Sequence, residues 1–173
     1  ATKDPLTGLD NRRGFKEEVG RLIRDIVFSK ENPEARKHFY IDSISILFFY
    51  IDDFKKINDA YGHKAGDQIL QQVCQVIRKE VRDIDFVGRW GGEELMAALV
   101  GSHEEDAFRK AEGIRRAIKT RVKIKNEKIM VSVGVAELED GLSFGELVDR
   151  ADKAMYVAKN ERGKDNVVRY SEI

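Results

Sequence analysis

From Ile44 to Ile51 the chain reads ISILFFYI, in which only Ser45 and Tyr50 carry a polar side-chain atom. A strand with one face in water alternates apolar and polar residues. This one does not, so it predicts a central strand buried on both faces. The rest of the chain must then supply cover. Phe15, Val19, Leu22, Ile23 and Ile26 fall at helical spacing and predict a helix over about 12–29. After the strand come a short helix over about 54–60 and a longer one over about 67–81. Two strands, about 86–90 and 94–100, are separated only by GGE, a hairpin signal. An amphipathic helix over about 104–120, one or two strands within VKIKNEKIMVSVGVAEL, a last helix over about 143–161 and an edge strand in NVVRY complete the order. SKENPEARKH, about residues 29–38, is charged, contains Pro33 and predicts a surface loop. Asp4-Pro5 and Thr7-Gly8 supply turn chemistry ahead of the first helix. This order predicts an α+β or α/β sandwich, with helices packed on a mixed sheet.

Length and charge narrow the class. At 173 residues the chain suits one domain with a sizeable core. Lys and Arg together number 31, as do Asp and Glu, so no net field favours nucleic acid or a membrane surface. No apolar run reaches the ~18 residues that cross a bilayer, and no signal peptide is recognisable. The single cysteine, Cys74, excludes an internal disulfide. Set among Ile69, Leu70, Val73, Val76 and Ile77, it reads as a small core residue. The expectation is a cytoplasmic domain in a reducing compartment.

Two segments carry chemistry. The central strand ends in Asp52 and Asp53 and then turns into FKKIND, and carboxylates delivered just ahead of a helix suit a metal and phosphate site. In RWGGEEL, Gly91 and Gly92 stand at a hairpin tip beside Glu93 and Glu94. Paired glycines allow positive φ and close approach of backbone N–H groups to a phosphate. Adjacent carboxylates repel unless a cation shares them. By itself GGEE reads equally as a solvated acidic loop. A strand and a hairpin brought together would assemble the carboxylates of a nucleotidyl-transfer site.

The segments DPLTGLDNRRGF, FKKINDAYGHKAGDQIL, RWGGEEL, VSVGVA and ADKAMYVAKNERGKDNV resemble, in order and spacing, the motifs of the GGDEF family, the diguanylate cyclase domains of bacterial signalling. The resemblance covers nearly the whole chain and implies a single domain over 1–173, cut from a longer signalling protein with an upstream sensory or dimerisation segment. It implies a central, mostly antiparallel sheet flanked by helices, similar to the palm of adenylate cyclases and polymerases. It also implies a reaction: two GTP molecules condense to cyclic di-GMP and two pyrophosphates, in two domains meeting face to face, with Mg²⁺ or Mn²⁺.

By that resemblance Glu93 and Glu94 are the catalytic acidic pair. They hold metal together with Asp52 and Ile51, and Glu93 lies nearest the reacting hydroxyl. Gly91 and Gly92 leave room for the nucleotide. Asn58 and Asp67 match the guanine-binding positions, an amide and a carboxylate being suited to the donors and acceptors of the base. On residues alone Asn58 reads as a helix C-terminal residue and Asp67 as an N-cap. Lys55, with Asp53, Phe54 and the N–H groups of the strand-to-helix turn, suits the β- and γ-phosphates. Lys159 and Lys164 match basic positions that hold the triphosphate, or a solvated helix end. His63 matches a histidine near the pocket and reads as a loop-stabilising hydrogen bond.

Arg82 and Asp85 stand at the spacing of the family's RxxD inhibitory product site, with Arg89 nearby; taken alone they read as a salt-bridged turn. An arginine fork and a carboxylate suit guanine and phosphate. One departure concerns the metal. The family's strand carries an aspartate two places before Asp52, and here that place is Tyr50. Side chains alternate along a strand, so Tyr50 and Asp52 share a face. Three readings stand open: an active or slow cyclase; a non-catalytic module binding GTP or cyclic di-GMP; and a structural dimerisation domain.

Overall fold

The computed structural model describes residues 1–37 and 41–173, so the end of the loop expected over 29–38, with His38, lies outside the described residues. Helix α1 (Arg12–Glu31) starts at Asn11, whose side chain accepts from the Gly14 N–H. Strand β1 (Ile44–Ile51) follows, then α2 (Phe54–Tyr61) and α3 (His63–Glu80). Strands β2 (Phe86–Arg89) and β3 (Glu94–Val100) form the expected hairpin, followed by α4 (Glu104–Arg121). A small hairpin, β4 (Lys123–Ile124) and β5 (Glu127–Lys128), precedes β6 (Val131–Glu137); α5 (Phe144–Asn160) and β7 (Val167–Arg169) close the chain.

The five-stranded sheet runs β2-β3-β1-β6-β7, with every pair antiparallel except β6 and β7. Strand β1 is central and its alternation divides the core. Leu47, Phe49 and Ile51 pack with α2, α3 and α4 through Ile57, Val73, Ile77, Ile114 and Ile118. Ile44, Ile46 and Phe48 face α1 and α5 through Phe15, Val19, Ile26, Ala151 and Met155. The lack of apolar–polar alternation in β1 thus has the expected cause: helices cover both of its faces. Cys74 sits in the first cluster, and burial pushes its thiol up to about 12.

One glycine permits the second cluster to close. A Cβ on Gly134, in β6, would lie 2.0 Å from the Ala151 carbonyl oxygen, so α5 rests directly on the sheet backbone there. The capping box of Ser143 and Glu146 anchors the start of α5.

Three expectations need correction. The stretch 122–138 holds three strands, because Lys125, at φ 53°, and Asn126 make a two-residue turn where no Asn-Gly signals one. Helix α3 begins at His63, so Asp67 lies inside it and caps nothing. Trp90 has already left β2; its N–H and that of Gly91 both donate to the Glu94 carbonyl.

Candidate functional site

The end of β1 sits beside the tip of the β2–β3 hairpin. Tyr50 is paired across the sheet with Glu94 on one side and Ser132 on the other, and the Ile51 N–H donates to the Glu93 carbonyl oxygen at 3.2 Å. The two acidic segments that sequence places apart are therefore neighbours. Chain direction then reverses at Asp53, a non-glycine residue at φ 55°, which makes no side-chain cap on α2. The first-turn N–H groups of α2, including that of Lys55, lack a side-chain cap and suit an anion.

Asp52 is 4% exposed, and both of its carboxylate oxygens have partners. The Ser132 hydroxyl donates to Oδ1 at 2.7 Å and the Asp165 backbone N–H to Oδ2 at 3.0 Å. Burial pushes its carboxyl above the usual range, opposed by these two hydrogen bonds. Asp53 pairs with Lys164 at 2.7 Å, which holds its carboxyl below the usual range. Ser132, Asp165 and Asn166 were invisible as site residues. Asn166 donates to the carbonyls of Ala158, Arg162 and Lys164 and so shapes the loop that brings Asp165 over Asp52.

Tyr50 occupies the centre of the arrangement. Burial, with the carboxylates of Glu93, Asp52 and Glu94 nearby, pushes its phenol up to about 12. The Lys159 ammonium, from the last turn of α5, lies 3.6 Å from the Tyr50 ring centroid. Glu94 is half-buried and folds over the hairpin tip; a Cβ on Gly91 would stand 2.7 Å from its Oε1. Burial, with Asp152 and Glu93 nearby, pushes the Glu94 carboxyl up.

A hard divalent ion needs several oxygen donors with free lone pairs at one point. The expected set of Glu93, Glu94, Asp52 and Ile51 does not supply it. Asp52 is occupied by internal donors, a neutral phenol stands where a carboxylate was expected, and among the described residues no group of three acidic, His or Cys side chains could hold a metal ion. The residues present do not fit the cation expected of them, and a neutral phenol in place of a carboxylate is the physical reason.

The two positions expected to bind guanine have the opposite character. Asn58 Oδ1 is buried and has no hydrogen-bond partner. Gly66 lies under it, and a Cβ there would be 1.8 Å from that oxygen. Asp67, one residue on, is exposed, as is His63 at the start of α3. Beside the site, a cavity of ≈ 570 Å³ opens between α2 and β5, lined by Asp52, Lys56, Glu127 and Met130 but not by Asn58.

Of the RxxD pair, Asp85 is turned inward while the Arg82 side chain stays exposed. Asp85 accepts from the Arg82 N–H at 2.8 Å, the Val100 N–H at 2.9 Å and the Arg82 guanidinium at 3.1 Å. Arg82 also donates to the Val100 carbonyl. Arg89 clamps the hairpin, donating to the Gly91 and Gly92 carbonyls and pairing with Asp4 at 3.2 Å.

A family model described as "Diguanylate cyclase, GGDEF domain" matches residues 1–165. Diguanylate cyclase DosC of Escherichia coli K12 is 35% identical over 168 residues, covering 95% of this chain and 34% of its own length. The chain thus spans about a third of the length of that curated relative. Among solved structures, the GGDEF domain of DgcB from Caulobacter crescentus, in complex with c-di-GMP, superposes with a TM-score of 0.85 at 30% identity, covering 99% of this chain and 96% of that one. Diguanylate cyclase SiaD of Pseudomonas aeruginosa, in complex with its activator SiaC, reaches 0.81 at 34% identity, covering 98% and 62%.

Proposed function

The chain belongs to the GGDEF family of diguanylate cyclase domains, and from that membership we propose that it binds GTP between the end of β1 and the β2–β3 hairpin, with cyclisation curtailed by Tyr50. The observation that carries this is the buried, unpartnered Oδ1 of Asn58. Leaving such an acceptor dry and unpaired costs about 1–3 kcal/mol, which a ligand donor recovers. Guanine offers one in its N2 amino group, while Asp67 can accept from N1–H and N2–H₂. The triphosphate then runs along the uncapped first turn of α2 and Lys55 toward Lys159 and Lys164. Gly91 and Gly92 leave the approach open.

Catalysis would require two such domains face to face, with Glu93 nearest the attacking 3′-hydroxyl. The expected Mg²⁺ or Mn²⁺ is poorly served by the donors present, so condensation to cyclic di-GMP is slow or absent. A second reading, an active cyclase, is favoured by the partial exposure of Glu93 and Glu94 at the hairpin. Product feedback would fall to the exposed Arg82 guanidinium, Asp85 being committed internally. An upstream sensory or dimerisation segment would set the encounter of two copies.

Calorimetry of the protein with GTP and with ATP tests the nucleotide reading. GTP is expected to bind at least about tenfold more tightly, because ATP leaves the Asn58 acceptor unpaired; equal affinities would overturn it. Incubation of concentrated protein with GTP and Mg²⁺ or Mn²⁺ then decides between the readings. Tyr50→Asp is expected to raise cyclic di-GMP formation at least ~100-fold. Equal turnover in the two proteins would establish the active cyclase instead.

A further inference from the structure

A divalent cation performs two tasks for a bound triphosphate: it neutralises charge, and it ties phosphate oxygens to protein carboxylates. At this strand end both tasks already have occupants. The acid that Tyr50 replaces has become a neutral phenol beside Glu93. Asp52 is held by Ser132 and the Asp165 backbone, and Asp53 by Lys164. Positive charge comes from the protein itself. The Lys159 ammonium rests 3.6 Å from the Tyr50 ring centroid, at the point where strand, hairpin and α5 converge.

A lysine seated on a ring is positioned by the attraction between cation and π-face, yet only part of its ammonium is engaged. The other N–H donors remain free for an anion. An aspartate at position 50 could not form this seat, and a tyrosine there cannot ligate a hard metal as a carboxylate would. The exchange of one residue thus removes a metal ligand and gives the Lys159 cation a seat in the same place.

We infer that this site binds its nucleoside triphosphate without a divalent cation, Lys159 seated on Tyr50 providing the positive charge. The inference rests on the nucleotide reading above and deepens it. Lys159 is a binding residue in this account, and Tyr50 is a positioning residue that acts through it.

Equilibrium binding of GTP, measured by calorimetry in EDTA and again in excess Mg²⁺, tests it. For the unaltered protein the two affinities are expected to agree within about threefold, since no linked metal site adds to the complex. Lys159→Ala is expected to weaken binding in EDTA by about tenfold or more, and Lys159→Arg to restore most of it, because a guanidinium also stacks on a ring. Tyr50→Asp is expected to make binding metal-dependent, tightening about tenfold on addition of Mg²⁺. Mn²⁺ binding followed by electron paramagnetic resonance should appear in Tyr50→Asp and be absent from the unaltered protein. Tightening of about tenfold by Mg²⁺ in the unaltered protein, or full EDTA affinity in Lys159→Ala, overturns the inference while leaving the nucleotide reading standing. Failure of the unaltered protein to bind GTP in either buffer overturns the nucleotide reading, and this one with it.

Discussion

The helix position Asn58 and the turn at Arg82 match the family's ligand-binding motifs about equally well in sequence, and they are physically opposite. Asn58 holds a buried oxygen with nothing bonded to it, above a glycine that leaves the amide just enough room. Asp85, equally hidden, accepts from two backbone N–H groups and a guanidinium. A buried polar atom without a protein partner is costly and open to a new donor; one with a full complement already contributes to the fold. The first region is where we propose that guanine binds. The second is a strut between the α3–β2 turn and the end of β3.

Three substitutions can break or sharpen this contrast. The largest effect is expected from Asp85→Ala, which strands the N–H groups of Val100 and Arg82 and should lower stability by about 2–4 kcal/mol. Urea denaturation measures it, and GTP affinity should be unchanged. Intact stability with lost cyclic di-GMP binding would make Asp85 a ligand group after all. Next comes Gly66→Ala. Its Cβ would fall 1.8 Å from Asn58 Oδ1 and force the amide out of place. GTP affinity should drop by roughly 10–100-fold, with little net change in stability, since alanine gains about 1 kcal/mol over glycine inside a helix. The smallest effect belongs to Asn58→Ala. It should weaken GTP about tenfold yet leave the free protein as stable or up to ~1 kcal/mol more so, because an unpaired buried acceptor disappears. Thermal unfolding without nucleotide separates these outcomes: destabilisation by Asn58→Ala would show that its amide supports the fold.

A similar division runs through the site itself. Alternation along β1 correctly places Tyr50 beside the acids, and the strand and the hairpin meet as expected. Expected ligands nonetheless have other employment. Arg89 holds the carbonyls of the hairpin tip, and Asp52 is enclosed by Ser132 and the loop after α5. The β4–β5 hairpin and the true start of α3 were missed for a local reason. Lys125-Asn126 is a weak turn signal, and Gly62, at φ 92°, ends one helix and opens the next without any side-chain cap.

The sequence by itself determined the layered class, because a strand as apolar as β1 must be covered on both faces, and it determined the family through motifs that survive in order. Those are properties of short segments: periodicity, turn chemistry, spacing. Tertiary structure alone decided which polar atoms of those motifs are free. The partners that occupy Asp52 lie 80 and 113 residues away in the chain, and Lys159 reaches Tyr50 only because α5 packs on the sheet at Gly134. Whether a carboxylate can hold a ligand depends on its unspent lone pairs, and these are assigned only when distant segments come into contact.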